Sequence, residues 1–249
     1  MSQTFQDHFS GVANRYADFR PHYPAALFDY LATLAPRSSV VWDCAAGNGQ
    51  ATLDVAARFD KVIATDASRE QIAAARPHPK IEYRVAPAEQ SGLPDQSVAL
   101  VTVAQALHWF DIERFYAEVR RVLVHGGMIA VWTYERSSVS PDMDAVFTRL
   151  YTGELEAYWP PERRHVEACY ATLPFPFEPI AVPAFELRCD WTVDQYLAYL
   201  RSWSAAQRFL KATGRDAVAE IEPDMRAAWG DPAQARTVRW LMTVKAGRE

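Results

Sequence analysis

Val40-Val41-Trp42-Asp43-Cys44-Ala45-Ala46-Gly47-Asn48-Gly49-Gln50, with Ala51 to Phe59 behind it, is the stretch that decides the fold. An apolar run ends in an acid, breaks at small residues and resumes as a helix-forming segment. Small side chains at Ala45, Ala46, Gly47 and Gly49 make a tight turn without bulky Cβ atoms, so a ligand can approach the backbone amides and the helix N-terminus. Turns that only pack a helix on a sheet use the same residues, so the sequence downstream must separate the two cases. Lys61-Val62-Ile63-Ala64-Thr65-Asp66 places Asp66, followed by Ala67, at the carboxyl end of a second strand. A carboxylate there can accept two hydrogen bonds from a ribose diol. Ile81 to Val85 then leads into Ala86-Pro87-Ala88-Glu89, which puts Glu89 just beyond a third strand, within reach of an adenine amino group. One such acid is an ordinary loop charge; a glycine turn with two strand-end acids is a binding site.

The rhythm of short apolar runs extends outward from this point. Val98 to Val103 and Met128 to Trp132 read as further strands, apolar without strict alternation, as parallel strands covered on both faces are. Between them Ile112, Phe115, Tyr116, Val119, Val122 and Leu123 form a helical stripe. Repeated β-α units give a parallel sheet with right-handed crossovers. After Trp132 the pattern changes. Ser140-Pro141 reads as an N-cap followed by proline in the first turn, opening a helix that carries Met143, Val146, Phe147, Leu150 and Tyr158. Leu173 to Pro183 is a proline-rich connector, Phe185 to Trp191 a strand, and Tyr196, Tyr199, Leu200 and Trp203 lie on a helix. Val238, Trp240, Met242 and Val244 alternate with Arg239, Leu241, Thr243 and Lys245, giving a last strand that runs antiparallel at the end of the sheet.

The chain has 249 residues, enough for one large α/β domain, and its formal net charge is −5. That balance argues against nucleic acid as the partner, because phosphate binding needs a basic footprint. Cys44, Cys169 and Cys189 are odd in number and widely spaced. They suggest neither a disulfide framework nor a metal site, and they fit a cytoplasmic, reducing compartment. No apolar run has the length of a membrane span, and Met1 to Arg20 has no apolar signal core.

The loop also separates ligand classes. A dinucleotide fingerprint continues Gly47-x-Gly49 to a third glycine, and here that position is Thr52. The pattern instead resembles the class I S-adenosylmethionine-dependent methyltransferases of the type 11 family. Asp43-x-Ala45-x-Gly47-x-Gly49 is similar to their motif I, Asp66 to their ribose acid, and Ala88-Glu89 to their adenine-contacting pair. Ala104 to Asp111 and the N-terminal positions Phe9, Ala13, Tyr16, Arg20-Pro21 and Tyr23-Pro24 resemble the subgroup that includes yeast trans-aconitate methyltransferase. The first glycine of motif I is Ala45 here, a substitution that the turn accommodates where φ is negative.

The resemblance implies a Rossmann-like α/β fold with a seven-stranded sheet of order 3-2-1-4-5-7-6, strand 7 antiparallel. It would form a single domain. Residues 1–36 would be an N-terminal helical cap, 37–134 the cofactor-binding core, 135–231 a helical substrate lid and 232–249 the last strand. It also implies S-adenosylmethionine as cofactor and a small-molecule acceptor such as a carboxylate. The cofactor would be held by Tyr16, Arg20, Asp43, Ala45, Ala46, Gly47, Gly49, Asp66, Ala67, Ala88, Glu89, Gln105 and Ala106. His108, just past a strand end, is the candidate catalytic residue. If the acceptor is a hydroxyl or amine, it would serve as base. Arg163, Arg164, Arg201 and Arg208 are candidates to pair with an anionic acceptor. Two other readings use the same pattern, a non-catalytic S-adenosylmethionine-binding module and a nucleotide-dependent oxidoreductase. The acids with His108 count against the first, and Thr52 with Glu89 against the second.

Overall fold

The computed structural model describes residues 21–36 and 38–249. Five parallel strands form the first part of the sheet: β1 (Val40–Cys44), β2 (Lys61–Asp66), β3 (Ile81–Val85), β4 (Val98–Ala104) and β5 (Leu123–Ser138). The last strand, β8 (Arg236–Arg248), pairs antiparallel with β5 and is flanked in turn by β6 (Glu178–Ile180) and β7 (Phe185–Trp191). The order is β3-β2-β1-β4-β5-β8-β6, with β7 also on β8. β6 and β7 therefore occupy successive parts of one edge position, and the expected order and antiparallel strand are both present. The segment 135–231 is not helical throughout, because it contributes both of these strands to the sheet. β6 lies inside the proline-rich connector, where the sequence pattern suggests no strand.

The two sheet faces follow from strand alternation. Val41, Val62, Leu100 and Met128 point to one face and pack on α1 (Ala25–Leu34) and α2 (Gln50–Ala56) through Leu27, Phe28, Leu31 and Val55. Trp42, Ile63, Val101 and Ile129 point to the other face, against Phe115, Val119 and Val122 of α4 (Ile112–Val122). The short α3 (Arg69–Ala74) follows β2 and is capped by the Ser68 side chain on the Gln71 amide. Each of these large apolar side chains is almost fully buried and contributes about 1.5–3 kcal/mol.

A third core lies beyond the parallel strands. It packs α5 (Pro141–Arg149), α7 (Val193–Arg201), α8 (Ser204–Thr213) and α9 (Ala217–Trp229) over β7 and β8. The short α6 (Arg163–Glu167) links this group to the sheet. Ser140-Pro141 opens α5 as the sequence indicates, although the helix ends at Arg149 and continues as a wider turn, Leu150–Glu154, and a 3-10 turn, Glu156–Tyr158. α7 begins with a capping box between Thr192 and Gln195. Among the described residues no helix is long and apolar enough to cross a membrane.

Candidate active site

Parallel pairing brings the carboxyl ends of β1 to β5 to one edge of the sheet, with Cys44 level with both Thr65 and Val103, and Ala104 level with Trp132. The loops that follow these strands therefore share one crevice. The glycine loop leads from β1 into α2. Gly47 and Gly49 have φ of 58° and 90°. At Gly49 a Cβ would lie 2.5 Å from the Tyr83 hydroxyl, so backbone conformation and space both exclude a side chain. Ala45 also has a positive φ, 54°. The condition under which alanine is readily accommodated is therefore not met: the turn keeps its left-handed geometry and the methyl group bears the strain, about 1–2 kcal/mol.

Asp43 sits beneath the loop, fully buried. Thr52 donates to one carboxylate oxygen at 2.5 Å and Thr102 to the other at 2.7 Å, which ties β1 to α2 and β4. Burial outweighs these hydroxyls and pushes the carboxyl up to about 6. With both oxygens engaged inside the protein, Asp43 braces the loop from below. Asp66 lies at the crevice edge. Its carboxylate accepts the Gly47 amide and the Ser68 amide, each at 2.8 Å, which joins the glycine loop to the loop after β2. Ala67 is half-buried and Ala88 is buried. Glu89 takes the Asp111 amide on Oε1 at 2.9 Å. Ala46 is fixed by its amide on the Thr65 carbonyl. Gln105, with φ 55°, turns the chain after β4, accepts a hydrogen bond from Thr133 at 2.7 Å, and leads into buried Ala106. Tyr16 and Arg20 lie outside the described residues. The first described residue, Pro21, is tied by its carbonyl to the Gln50 side chain at the start of α2.

His108 opens onto a second cleft, which adjoins Gln105 and is partly open to solvent. Its Nδ1 lies 3.1 Å from the Tyr170 hydroxyl and its ring packs on Trp109. Burial, then the charges of Arg163 and His165, push the imidazole down to about 3, so it is neutral at pH 7. The far wall is aromatic. Trp159 lies 4.7 Å from Tyr151 and 5.4 Å from Trp203 between ring centres, and Phe147 stacks on Tyr151.

Charged groups also enter this cleft. Pairing between β5 and β8 shifts register between Tyr134 and Ser137, and the irregularity aims Glu135 and Arg136 at the cleft, as strand bulges do. Arg163 lies over the Trp159 ring at 5.0 Å and donates from Nε to the Tyr151 hydroxyl at 2.8 Å.

Of the four arginines suggested by the sequence, Arg163 alone lines the cleft. Arg201 is held by Asp216 and Glu222, Arg208 reaches the Tyr158 carbonyl, and Arg164 is exposed beside His165. Tyr170 and Arg136 escaped the sequence reading. Tyr170 belongs to a turn in which it and Cys169 are both left-handed, with the Lys245 ammonium on the Tyr170 carbonyl at 2.6 Å. No local sequence signal marks that turn. Among the described residues no His, Cys, Asp or Glu cluster is arranged to hold a metal ion.

Comparison with known proteins gives a consistent picture. The profile of a family described as a methyltransferase domain matches residues 42–131. A candidate methyltransferase of Dictyostelium discoideum is 33% identical over 229 residues, covering 90% of this chain and 87% of its own. CRG1 of Saccharomyces cerevisiae, named for S-adenosylmethionine-dependent methyl transfer, is 33% identical over 129 residues, 48% of this chain and 44% of its own length. A solved structure of a candidate type II methyltransferase from Anaeromyxobacter dehalogenans aligns with a TM-score of 0.87 and 48% identity, over 92% of this chain and 98% of that one.

Proposed function

The chain belongs to the class I S-adenosylmethionine-dependent methyltransferases, and on that premise we propose that it methylates a small carboxylic acid, giving a methyl ester. The residues of the crevice suit the cofactor. Gly47 and Gly49 hold the positive-φ turn that presents backbone amides, Asp66 stands at the crevice edge where a ribose diol would lie, and Glu89 has a second oxygen for an adenine amino group. Ala45, Ala46, Ala67, Ala88, Gln105 and Ala106 follow the carboxyl ends of β1 to β4, where their backbone would meet the cofactor. Asp43 acts through the loop it braces. S-adenosylmethionine supplies an activated methyl group on a positively charged sulfur.

The protein's own residues then have little bond chemistry to perform. They align the acceptor, exclude water and hold charge. The observation that carries the carboxylate reading is the pairing of Arg163 with His108 in one cleft. Among the described residues Arg163 has no carboxylate partner, and its terminal nitrogens have none to donate to. His108, pushed down to about 3, is a feeble base at neutral pH, whereas abstraction from a phenol or ammonium calls for a base matched to the working pH. A carboxylate needs no base. Its oxygen takes the methyl group, the electron pair of the broken carbon–sulfur bond stays on sulfur, and no proton moves. His108 then serves to position the acceptor.

The test is a panel of carboxylates, phenols and amines with mass-spectrometric detection, run for the wild type and His108→Ala. Ester products that persist in the variant, with kcat/KM reduced roughly tenfold or less by the loss of one neutral hydrogen bond, support the reading. Phenol ethers or methylamines that vanish in the variant would make His108 a general base and overturn it.

A further inference from the structure

The charges and rings of the acceptor cleft select among acids. We propose that the cleft is built for a monocarboxylic acid with a flat, apolar body, and against compact polycarboxylates. The inference rests on the carboxylate reading above and narrows it.

Its first support is the charge inventory. Two arginines face the cleft. Arg136 is already matched by Glu167 at 3.7 Å and lies over the Tyr151 ring at 4.2 Å. Arg163 is the cation without a carboxylate among the described residues, and its orientation is fixed by Tyr151 and Trp159. The Tyr151 hydroxyl donates to Glu167, which ties both arginines into one network. Glu135 adds a negative charge to the lining, and among the described residues its carboxylate accepts only the weak Cys169 thiol at 3.4 Å. One planar guanidinium suits one carboxylate. A second or third carboxylate on the same molecule would meet Glu135 instead of a cation, and like charges in a half-buried site repel.

The second support is shape. Phe147, Tyr151, Trp159 and Trp203 present ring faces and edges 4.7–5.9 Å apart, and Phe147, Tyr151 and Trp203 are nearly inaccessible where they pack together. Trp159 is partly exposed at the cleft, held by its indole N–H on the Tyr151 carbonyl with Arg163 over its ring, so a molecule paired with Arg163 lies against the exposed part of the indole. A compact polar acid makes no use of such a wall, whereas a planar apolar body stacks on it.

Calorimetry in the presence of S-adenosylhomocysteine reads acceptor binding without turnover. The probes are trans-cinnamate, propanoate and tricarballylate. Cinnamate should bind at least about tenfold more tightly than either other acid. Arg163→Gln should weaken cinnamate about tenfold or more, the loss of a charge-assisted contact, and Arg163→Lys should recover part of it. Trp159→Leu should weaken cinnamate by a larger factor than propanoate, because both acids share the Arg163 anchor that Trp159 helps to orient and only cinnamate has a ring to lose contact. The lysine and leucine variants keep the test meaningful if the glutamine variant folds poorly. Tricarballylate binding as tightly as cinnamate, or Trp159→Leu without effect on cinnamate, would overturn this inference while leaving the carboxylate reading in place. Failure of all three acids to bind a protein that does bind S-adenosylhomocysteine would remove the carboxylate reading itself.

Discussion

At the scale of single residues, strain and burial make the sharpest statements. Ala45 holds a left-handed conformation that glycine adopts freely. Ala45→Gly removes about 1–2 kcal/mol of strain and returns part of it through the greater freedom of glycine in the unfolded chain. The variant should be more stable by about 0.5–1 kcal/mol in denaturant unfolding; a loss of stability would show that the methyl group is packed rather than strained. His108 and Asp43 make a prediction through pH. Folded His108 stays neutral to about pH 3, while the unfolded chain protonates it near 6.5. Acidification between these values favours the unfolded chain, so this group lowers stability as pH falls below 6.5. Asp43 acts oppositely. Raised from 3.8 to about 6, it binds its proton first in the folded chain, so stability increases as pH falls from about 6 toward 3.8. The two offset each other in wild type. Subtracting the stability curve of His108→Gln should therefore uncover a slope of up to about 1.4 kcal/mol per pH unit below pH 6. A flat difference would mean that His108 is hydrated.

At the scale of elements, the parts legible in the sequence are those whose determinants are local. The glycine loop between β1 and α2, the strand-end acids and the stripe of α4 are each written in a few adjacent residues, and each takes its expected place. β6 was not legible, because a three-residue strand among prolines is defined by its pairing with β8 and not by its own pattern. The Cys169-Tyr170 turn and the register shift that aims Arg136 were hidden for the same reason: distant contacts hold them. Asp66 belongs to this scale because it joins two loops. The sequence presents it as a ligand residue, and it also accepts two backbone amides. Asp66→Ala should weaken S-adenosylmethionine binding by about 2–4 kcal/mol and also lower the stability of the ligand-free protein by about 1–3 kcal/mol. Calorimetry and thermal unfolding read the two losses separately, and unchanged cofactor affinity would show that the ribose site lies elsewhere.

At the scale of the whole molecule, a parallel sheet and a helical layer divide the work. On the proposed reading the sheet edge carries backbone and acids suited to the cofactor, while the helical layer and the turns after α5 bring rings to the acceptor cleft, with Arg136 supplied by β5 and Arg163 by α6. Gln105 and His108 stand where the two meet. The measurement that bears most directly on this division uses S-adenosylmethionine labelled in its methyl group, with the protein and a pool of small acids, followed by mild alkali. The account predicts label in a small-molecule product that alkali releases as labelled methanol, the behaviour of a methyl ester. Label that enters a product and stays bound through alkali, as in an ether or a methylamine, would contradict it.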